Sequence, residues 1–272
     1  MYSLRLGMGR PPVVFVHGFS CDHTDWRFQI EYFRRDHCVV ACDLRGHGRT
    51  PGQPAECSIE TYGADVADLL EKLNTGPAVL VGHSMGCRVV LEAARLHPER
   101  VAGIVFIEGN KRSAGDPAQV EQAAHDQIAA QGYAPFAEAF FATLFPRPYA
   151  GAAAIIQRAK KLPAEIGVAL FPRMARWDAE KEDAALVALR VPLLDIQSTK
   201  LDATGRPISL QPGDTTPWLE HARQLMPNLQ IEIIPGVGHF AQLEAPQRVN
   251  ALLAAFVVRP EIAKSGAKPA GP

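Results

Sequence analysis

The chain has 272 residues, 47% of them hydrophobic and 21% charged, with a formal net charge of -1. That balance belongs to an ordinary globular protein long enough to bury a substantial core, and it excludes an intrinsically disordered chain. No basic bias points to nucleic acid, and no apolar run approaches the length that spans a bilayer.

The N-terminal residues reach a buried strand too early for a cleavable secretory leader. The five cysteines, Cys21, Cys38, Cys42, Cys57 and Cys87, are odd in number, which rules out a complete disulfide framework. Cys38 and Cys42 share one strand face but would stand about 13 Å apart, too far to bridge. Reduced thiols in a cytoplasmic protein are the expectation.

In chain order, Tyr2–Leu6 predicts a short leading strand and Val13–Val16 a strand buried on both faces, since a continuous apolar run is what a covered parallel sheet requires. A short helix follows around Trp26, Phe28, Ile30 and Phe33, then a strand at Cys38–Cys42. Ser58 is placed as the N-cap of a helix through Leu73, whose Ile59, Tyr62, Val66, Leu69, Leu70 and Leu73 recur at three- and four-residue spacing. Ala78–Val81 reads as another strand. It runs into Gly82-His83-Ser84-Met85-Gly86, after which a helical pattern continues to Pro98. Val101–Ile107 is the next buried strand.

From Lys111 to Arg190 the pattern changes to short helices rich in Ala and aromatic residues and broken by prolines. Phe136, Phe140, Phe141, Leu144, Phe145, Leu170, Phe171, Met174 and Trp177 supply either a substrate chamber or the core of an inserted lid. Val191–Gln197 returns to the sheet, with Asp195 a polar residue inside the run. Leu201 to Thr216 predicts a long Gly/Pro-rich connection, followed by a helix near Trp218–Leu225, a strand near Ile231–Ile234 and a helix after Pro246. Residues 260–272 predict a loose tail. Strands alternating with helices argue for a mostly parallel sheet covered on both faces. The organisation expected is a core over 1–110 and 191–259, a helical cap over 111–190 and the tail.

The Gly-x-Ser-x-Gly run joins a strand to a helix, which lifts Ser84 onto a sharp, strained turn with its hydroxyl exposed; small Gly82 and Gly86 let strand and helix approach. Together with Val13-Val14-Phe15-Val16-His17-Gly18-Phe19, Asp43-Leu44-Arg45-Gly46-His47-Gly48, His97-Pro98-Glu99-Arg100-Val101 and Pro235-Gly236-Val237-Gly238-His239-Phe240, in that order along the chain, this segment resembles the α/β-hydrolase family over nearly the whole length. The resemblance implies an α/β fold with an inserted helical cap, and a first edge strand that is missing or abbreviated here. It also implies an oxyanion hole from the backbone N–H groups of Phe19 and Met85.

A serine hydroxyl needs a base to take its proton and a carboxylate to orient that base. His239, in a Gly-rich turn after a strand, is the base that the resemblance implies, whereas His47 is expected to brace its own loop. Three positions compete for the acid. Glu108 ends the strand Val101–Ile107, where some haloalkane dehalogenases carry theirs; Asp202 falls near the usual family position after Val191–Gln197; Asp214 precedes Thr215-Thr216-Pro217. The motifs resemble those of arylesterases and enol-lactonases, implying hydrolysis of a small, largely apolar ester or lactone without metal or organic cofactor. A carbon–carbon bond hydrolase, a cofactor-free lyase and a non-catalytic ligand receptor are the alternatives the same motifs admit.

Overall fold

The apolar runs become strands because a backbone buried from both sides can satisfy its N–H and C=O groups only in a ladder. The computed structural model describes residues 1–266. Its strands are β1 (Ser3–Leu6), β2 (Val13–Val16), β3 (Val39–Cys42), β4 (Ala78–His83), β5 (Val101–Ile107), β6 (Leu193–Gln197), β7 (Thr199–Leu201), β8 (Pro207–Ser209) and β9 (Gln230–Ile233). The α-helices are α1 (Arg27–Phe33), α2 (Ile59–Leu73), α3 (Met85–Leu96), α4 (Pro117–Ala129), α5 (Tyr133–Thr143), α6 (Ala152–Lys160), α7 (Ala164–Glu180), α8 (Glu182–Ala188), α9 (Pro217–Leu225), α10 (Ala241–Glu244), α11 (Pro246–Val257) and α12 (Pro260–Gly266).

Seven strands form one sheet in the order β1-β3-β2-β4-β5-β6-β9, parallel except for the antiparallel edge strand β1. Alternate residues serve opposite faces. Val14, Val16, Val40 and Cys42 pack with α2 and α3, whereas Val13, Phe15, Val39 and Ala41 pack with α1 and α11. The chain leaves β2 toward β3 and then crosses back to place β4 on the other side of β2, so the strand order reverses there. A crevice opens outside the carboxyl ends of strands at such a switch point. Phe19 follows β2 and Ser84 follows β4, so both lie at its mouth.

Local chemistry sets the element ends. Ser58 caps α2 by accepting from the Thr61 N–H at 3.2 Å, as its position before an apolar-periodic run predicts. Between β5 and β6 the chain inserts α4 through α8. Two expectations need correction. The stretch after Leu201 is no open connection: β7 and β8 pair as an antiparallel hairpin. Nor is the chain from Pro260 a loose tail throughout, because Pro260 opens α12 and Ile262 is fully buried. A proline is well suited to a first helical turn, and the apolar Ile262 next to Phe256 gives that turn something to bury. The remainder of the expected tail, 267–272, lies outside the described residues.

All five cysteines are buried free thiols. Burial pushes the Cys42 thiol up to about 12. Among the described residues no helix is long and apolar enough to cross a membrane.

Candidate active site

The elbow is built by close backbone approach. A Cβ on Gly82 would sit 2.4 Å from the Gly86 carbonyl oxygen, and one on Gly86 would sit 2.3 Å from that of Val16. Both positions therefore exclude every side chain, and their contact presses the start of α3 against the end of β2. Between them Ser84 holds φ of 53°, a left-handed conformation costly for a residue with a Cβ. Met85 is the first residue of α3, where backbone N–H groups lack partners within the helix and the helix dipole favours negative charge. The neighbouring loop carries Phe19, followed by Ser20 with φ of 55°.

Neutral histidines fix this loop. His17 Nδ1 lies 2.8 Å from the Gly18 carbonyl, while Nε2 accepts from the Leu44 N–H at 3.0 Å, which assigns the proton to Nδ1. His47 repeats the pattern: Nδ1 reaches the Arg45 carbonyl at 2.9 Å and Nε2 accepts from the Ser20 N–H at 3.2 Å. Burial lowers the His47 pKa to about 4. Loop bracing is thus what His47 does.

His239 is positioned from three directions. Its Nδ1 lies 2.9 Å from Glu108 Oε2, its carbonyl accepts from His83 Nε2 at 2.9 Å, and its N–H donates to the Leu144 carbonyl at 3.0 Å. The residue preceding Ser84 therefore clasps the residue that bears the imidazole, and the His83 and His239 ring centroids are 5.0 Å apart. Burial drives the His83 pKa well below its ordinary value, keeping that ring a neutral donor. Glu244 supports the same turn, accepting from the N–H groups of Gly238 at 2.8 Å and Phe240 at 3.2 Å.

Of the three carboxylates read from the sequence, only Glu108 meets His239. It continues β5, donating its N–H to the Ile196 carbonyl at 2.9 Å, and then turns with φ of 59°. Its Oε1 accepts from the backbone N–H groups of Ser198 at 2.5 Å and Thr199 at 3.0 Å, and the Thr199 hydroxyl donates to Oε2. Ser198 Oγ stands 2.8 Å from Oε1 and 2.7 Å from the Gly238 carbonyl, so its one proton serves either acceptor. Asp202 instead closes the β7–β8 hairpin, accepting from the N–H groups of Thr204 at 2.8 Å and Arg206 at 3.0 Å. Asp214 pairs with Lys200 at 2.7 Å. The hairpin carries Asp202 away along a two-stranded ribbon, which is the physical reason that its place in the sequence misleads. Ser198, Thr199 and Glu244 were not singled out by sequence reasoning; a Ser-Thr pair just after a strand is too common a signal to find a carboxylate cradle.

The inserted helices close over both sides of this centre. Phe171 of α7 lies 5.5 Å from Phe19 and 4.9 Å from Phe136 between ring centroids, and Phe145 stacks on Phe240 at 5.1 Å. Beneath them, fully buried Arg88 of α3 forks onto Asp178 of α7 and donates to the Asn110 carbonyl at 2.8 Å. Among the described residues no group of three or more His, Cys, Asp or Glu is arranged to hold a metal ion.

The chain belongs to the alpha/beta hydrolase family, whose model matches residues 13–252. It is similar to the dihydrolipoyllysine-residue acetyltransferase component of an acetoin cleaving system from Pseudomonas putida, 29% identical over 92% of this chain and 64% of that protein, so it spans less than two thirds of that relative's length. Among solved structures, a thermophilic esterase from Thermogutta terrifontis superposes with a TM-score of 0.77 at 26% identity, covering 96% of this chain and 93% of the other. An enol-lactonase from Burkholderia xenovorans LB400 shares the fold, with a TM-score of 0.74 at 20% identity over 95% and 96% of the two chains. Esterases and lactonases are thus among its structural neighbours, and the fold is that of an α/β hydrolase.

Proposed function

We propose that the protein is a serine hydrolase that cleaves a carboxylic ester or lactone of a small, largely apolar substrate through an acyl-enzyme, with Ser84, His239 and Glu108 as its catalytic triad. The observation that carries this reading is the strained Ser84 at the switch point, clasped through His83 to an imidazole whose Nδ1 lies 2.9 Å from a buried carboxylate.

In this mechanism Glu108 accepts the Nδ1 proton of His239 in a hydrogen bond, leaving Nε2 basic. Ser84 Oγ attacks the carbonyl carbon while Nε2 takes its proton. The Phe19 and Met85 N–H groups hold the resulting oxyanion, and Glu108 stabilises the imidazolium. Collapse of the tetrahedral intermediate expels the alkoxide, which receives the proton from Nε2. Water then attacks the acyl carbonyl with His239 again as base, releasing the acid and restoring Ser84. The aromatic wall of Phe19, Phe136 and Phe171 supports an apolar substrate, and the esterase and lactonase neighbours support the bond type. The helices over 111–190 act as the cap in this reading, and the protein works as a cytoplasmic enzyme on small molecules.

The test is rapid-quench reaction with p-nitrophenyl butyrate followed by intact-mass and peptide mass spectrometry. A burst of p-nitrophenol matched by butyrylation of the Ser84 peptide is expected. Turnover without a Ser84 adduct, or full activity in Ser84→Ala, would refute the mechanism.

A further inference from the structure

The loop that carries Phe19 is held by the inserted helices as well as by the core. The Cys21 N–H donates to the Gly18 carbonyl at 3.2 Å, closing a turn with Phe19 and Ser20 as its two central residues. Ser20 holds φ of 55° there, a conformation that glycine would take without strain. Its hydroxyl makes a contact that glycine could not. Ser20 Oγ lies 2.6 Å from the hydroxyl of Tyr133, the first residue of α5, and both residues are buried. The Tyr133 hydroxyl stands 3.0 Å from the Ala159 carbonyl near the end of α6. A carbonyl only accepts, so the tyrosine directs its one proton there and Ser20 donates to the tyrosine oxygen. Burial raises the Tyr133 pKa, so the phenol keeps that proton.

Room for this contact is built into α7. A Cβ on Gly167 would sit 2.0 Å from Tyr133 Cε2, so the tyrosine ring lies where any side chain at 167 would stand. The same ring meets that of Phe19 edge-on, with centroids 6.4 Å apart. Tyr133 therefore faces both central residues of the turn, one through its ring and the other through its hydroxyl. The core takes the backbone of Ser20, whose N–H donates to His47 Nε2 at 3.2 Å. A second contact from the inserted helices lies just beyond the turn, where Arg158 of α6 reaches both oxygens of buried Asp25 at 2.6 Å and Asp22 Oδ1 at 3.2 Å. That ion pairing ties the same loop without Tyr133, so losing one hydroxyl leaves the helices docked.

We propose that Tyr133 is a positioning residue for the oxyanion hole: through Ser20 it fixes the turn that presents the Phe19 N–H to the reacting carbonyl. This inference rests on the serine hydrolase reading. The inserted helices then contribute to stabilising the transition state as well as to enclosing the substrate. A hydrogen-bond donor gains its effect from being aimed in advance at the place where charge develops, so a turn free to shift gives up part of it. Substrate binding precedes that charge and is nearly indifferent to the shift, which puts the loss in kcat rather than in KM.

Stopped-flow hydrolysis of p-nitrophenyl butyrate is measured for the parent, Tyr133→Phe, Ser20→Gly and the double variant, with thermal melts to show folding. Removing an oxyanion-hole donor costs about 10²- to 10³-fold in kcat, so loosening one should lower kcat by about ten-fold, with KM within about two-fold of the parent. Ser20→Gly separates positioning from general support, because it relieves the backbone at φ of 55° yet should lose the same activity, and it keeps the test decisive if Tyr133→Phe does not fold. The double variant should be no slower than the slower single one, since both substitutions remove the same bond. Inhibition by 1,1,1-trifluoro-2-hexanone, whose serine adduct places an oxyanion in the hole, should weaken in step with kcat. A folded single variant that loses less than about three-fold in kcat, a loss carried by KM, losses that multiply in the double variant, or unchanged inhibition by the trifluoroketone would overturn the proposal. A parent that turns over through Ser84 while the variants match it removes this inference alone, whereas a parent with no acylation of Ser84 removes the hydrolase reading and this inference with it.

Discussion

Replacing Glu108 by glutamine removes a charge while keeping the volume of the side chain. Glu108 Oε1 faces two backbone N–H groups, so the amide oxygen takes that place and the amide nitrogen falls where Oε2 lay 2.9 Å from His239 Nδ1. An amide nitrogen donates, which forces Nδ1 to accept and moves the imidazole proton to Nε2. The nitrogen that must receive the serine proton is then already occupied. The variant also loses the charge that stabilises the imidazolium: at an effective dielectric of about 20 and a charge separation of about 4 Å that attraction is about 4 kcal/mol. At about 1.4 kcal/mol per decade, kcat should fall by roughly 10³-fold, with KM nearly unchanged. Stopped-flow hydrolysis of p-nitrophenyl butyrate measures this, with thermal melts to show that the variant folds. Higher pH should not rescue it, because the fault is the position of a proton rather than an excess of protons. Retention of more than a tenth of parental kcat by folded Glu108→Gln, or a comparable collapse in Asp202→Asn, would refute the assignment.

Ser84→Ala should reduce ester turnover by at least about 10⁴-fold while leaving the melting temperature within a few degrees of the parent, since it removes one part-exposed hydroxyl; burst amplitude and calorimetry read the two effects. Arg88→Met should destabilise the fold by about 3–5 kcal/mol in urea titrations, because it strands the fully buried Asp178 without its cation; retention of full stability would show that the pair is dispensable. Asp195→Asn should gain about 4 kcal/mol of stability relative to the parent between pH 4 and pH 8, and be no more stable than the parent at pH 4. Burial raises the Asp195 pKa from 3.8 to about 7 despite hydrogen bonds from Trp218 and Gln197. The unfolded chain therefore ionises first, and folding stability is lost as pH rises from about 4 to about 7. An Asn variant that is equally destabilised at both pH values would refute that account.

The strands, the elbow and the histidine turn were legible in the sequence because each rests on local chemistry. A continuous apolar run needs a ladder, and a serine between two glycines needs the close approach that Gly82 and Gly86 permit. Choosing among Glu108, Asp202 and Asp214 depended on what no local pattern records, the path of the chain after β6. Thr199–Leu201 and Pro207–Ser209 carry too few apolar residues to announce a hairpin, although Gly205 takes φ of 79° in its turn and Asp202 closes that turn through backbone bonds with Gly205 and Arg206 and side-chain bonds to Thr204. Once the hairpin removes Asp202, the space beside His239 Nδ1 falls to Glu108. The same hairpin begins with Thr199, whose N–H and hydroxyl both hold that carboxylate. One local fold thus withdraws one carboxylate from His239 and seats the other, which makes the donors of Ser198 and Thr199 as informative about the site as the carboxylate itself: in the proposed mechanism Thr199→Pro, which lacks the N–H that Oε1 accepts and the hydroxyl that Oε2 accepts, should lower kcat on p-nitrophenyl butyrate while Ser84, His239 and Glu108 all remain, and a folded variant of parental kcat would refute that role.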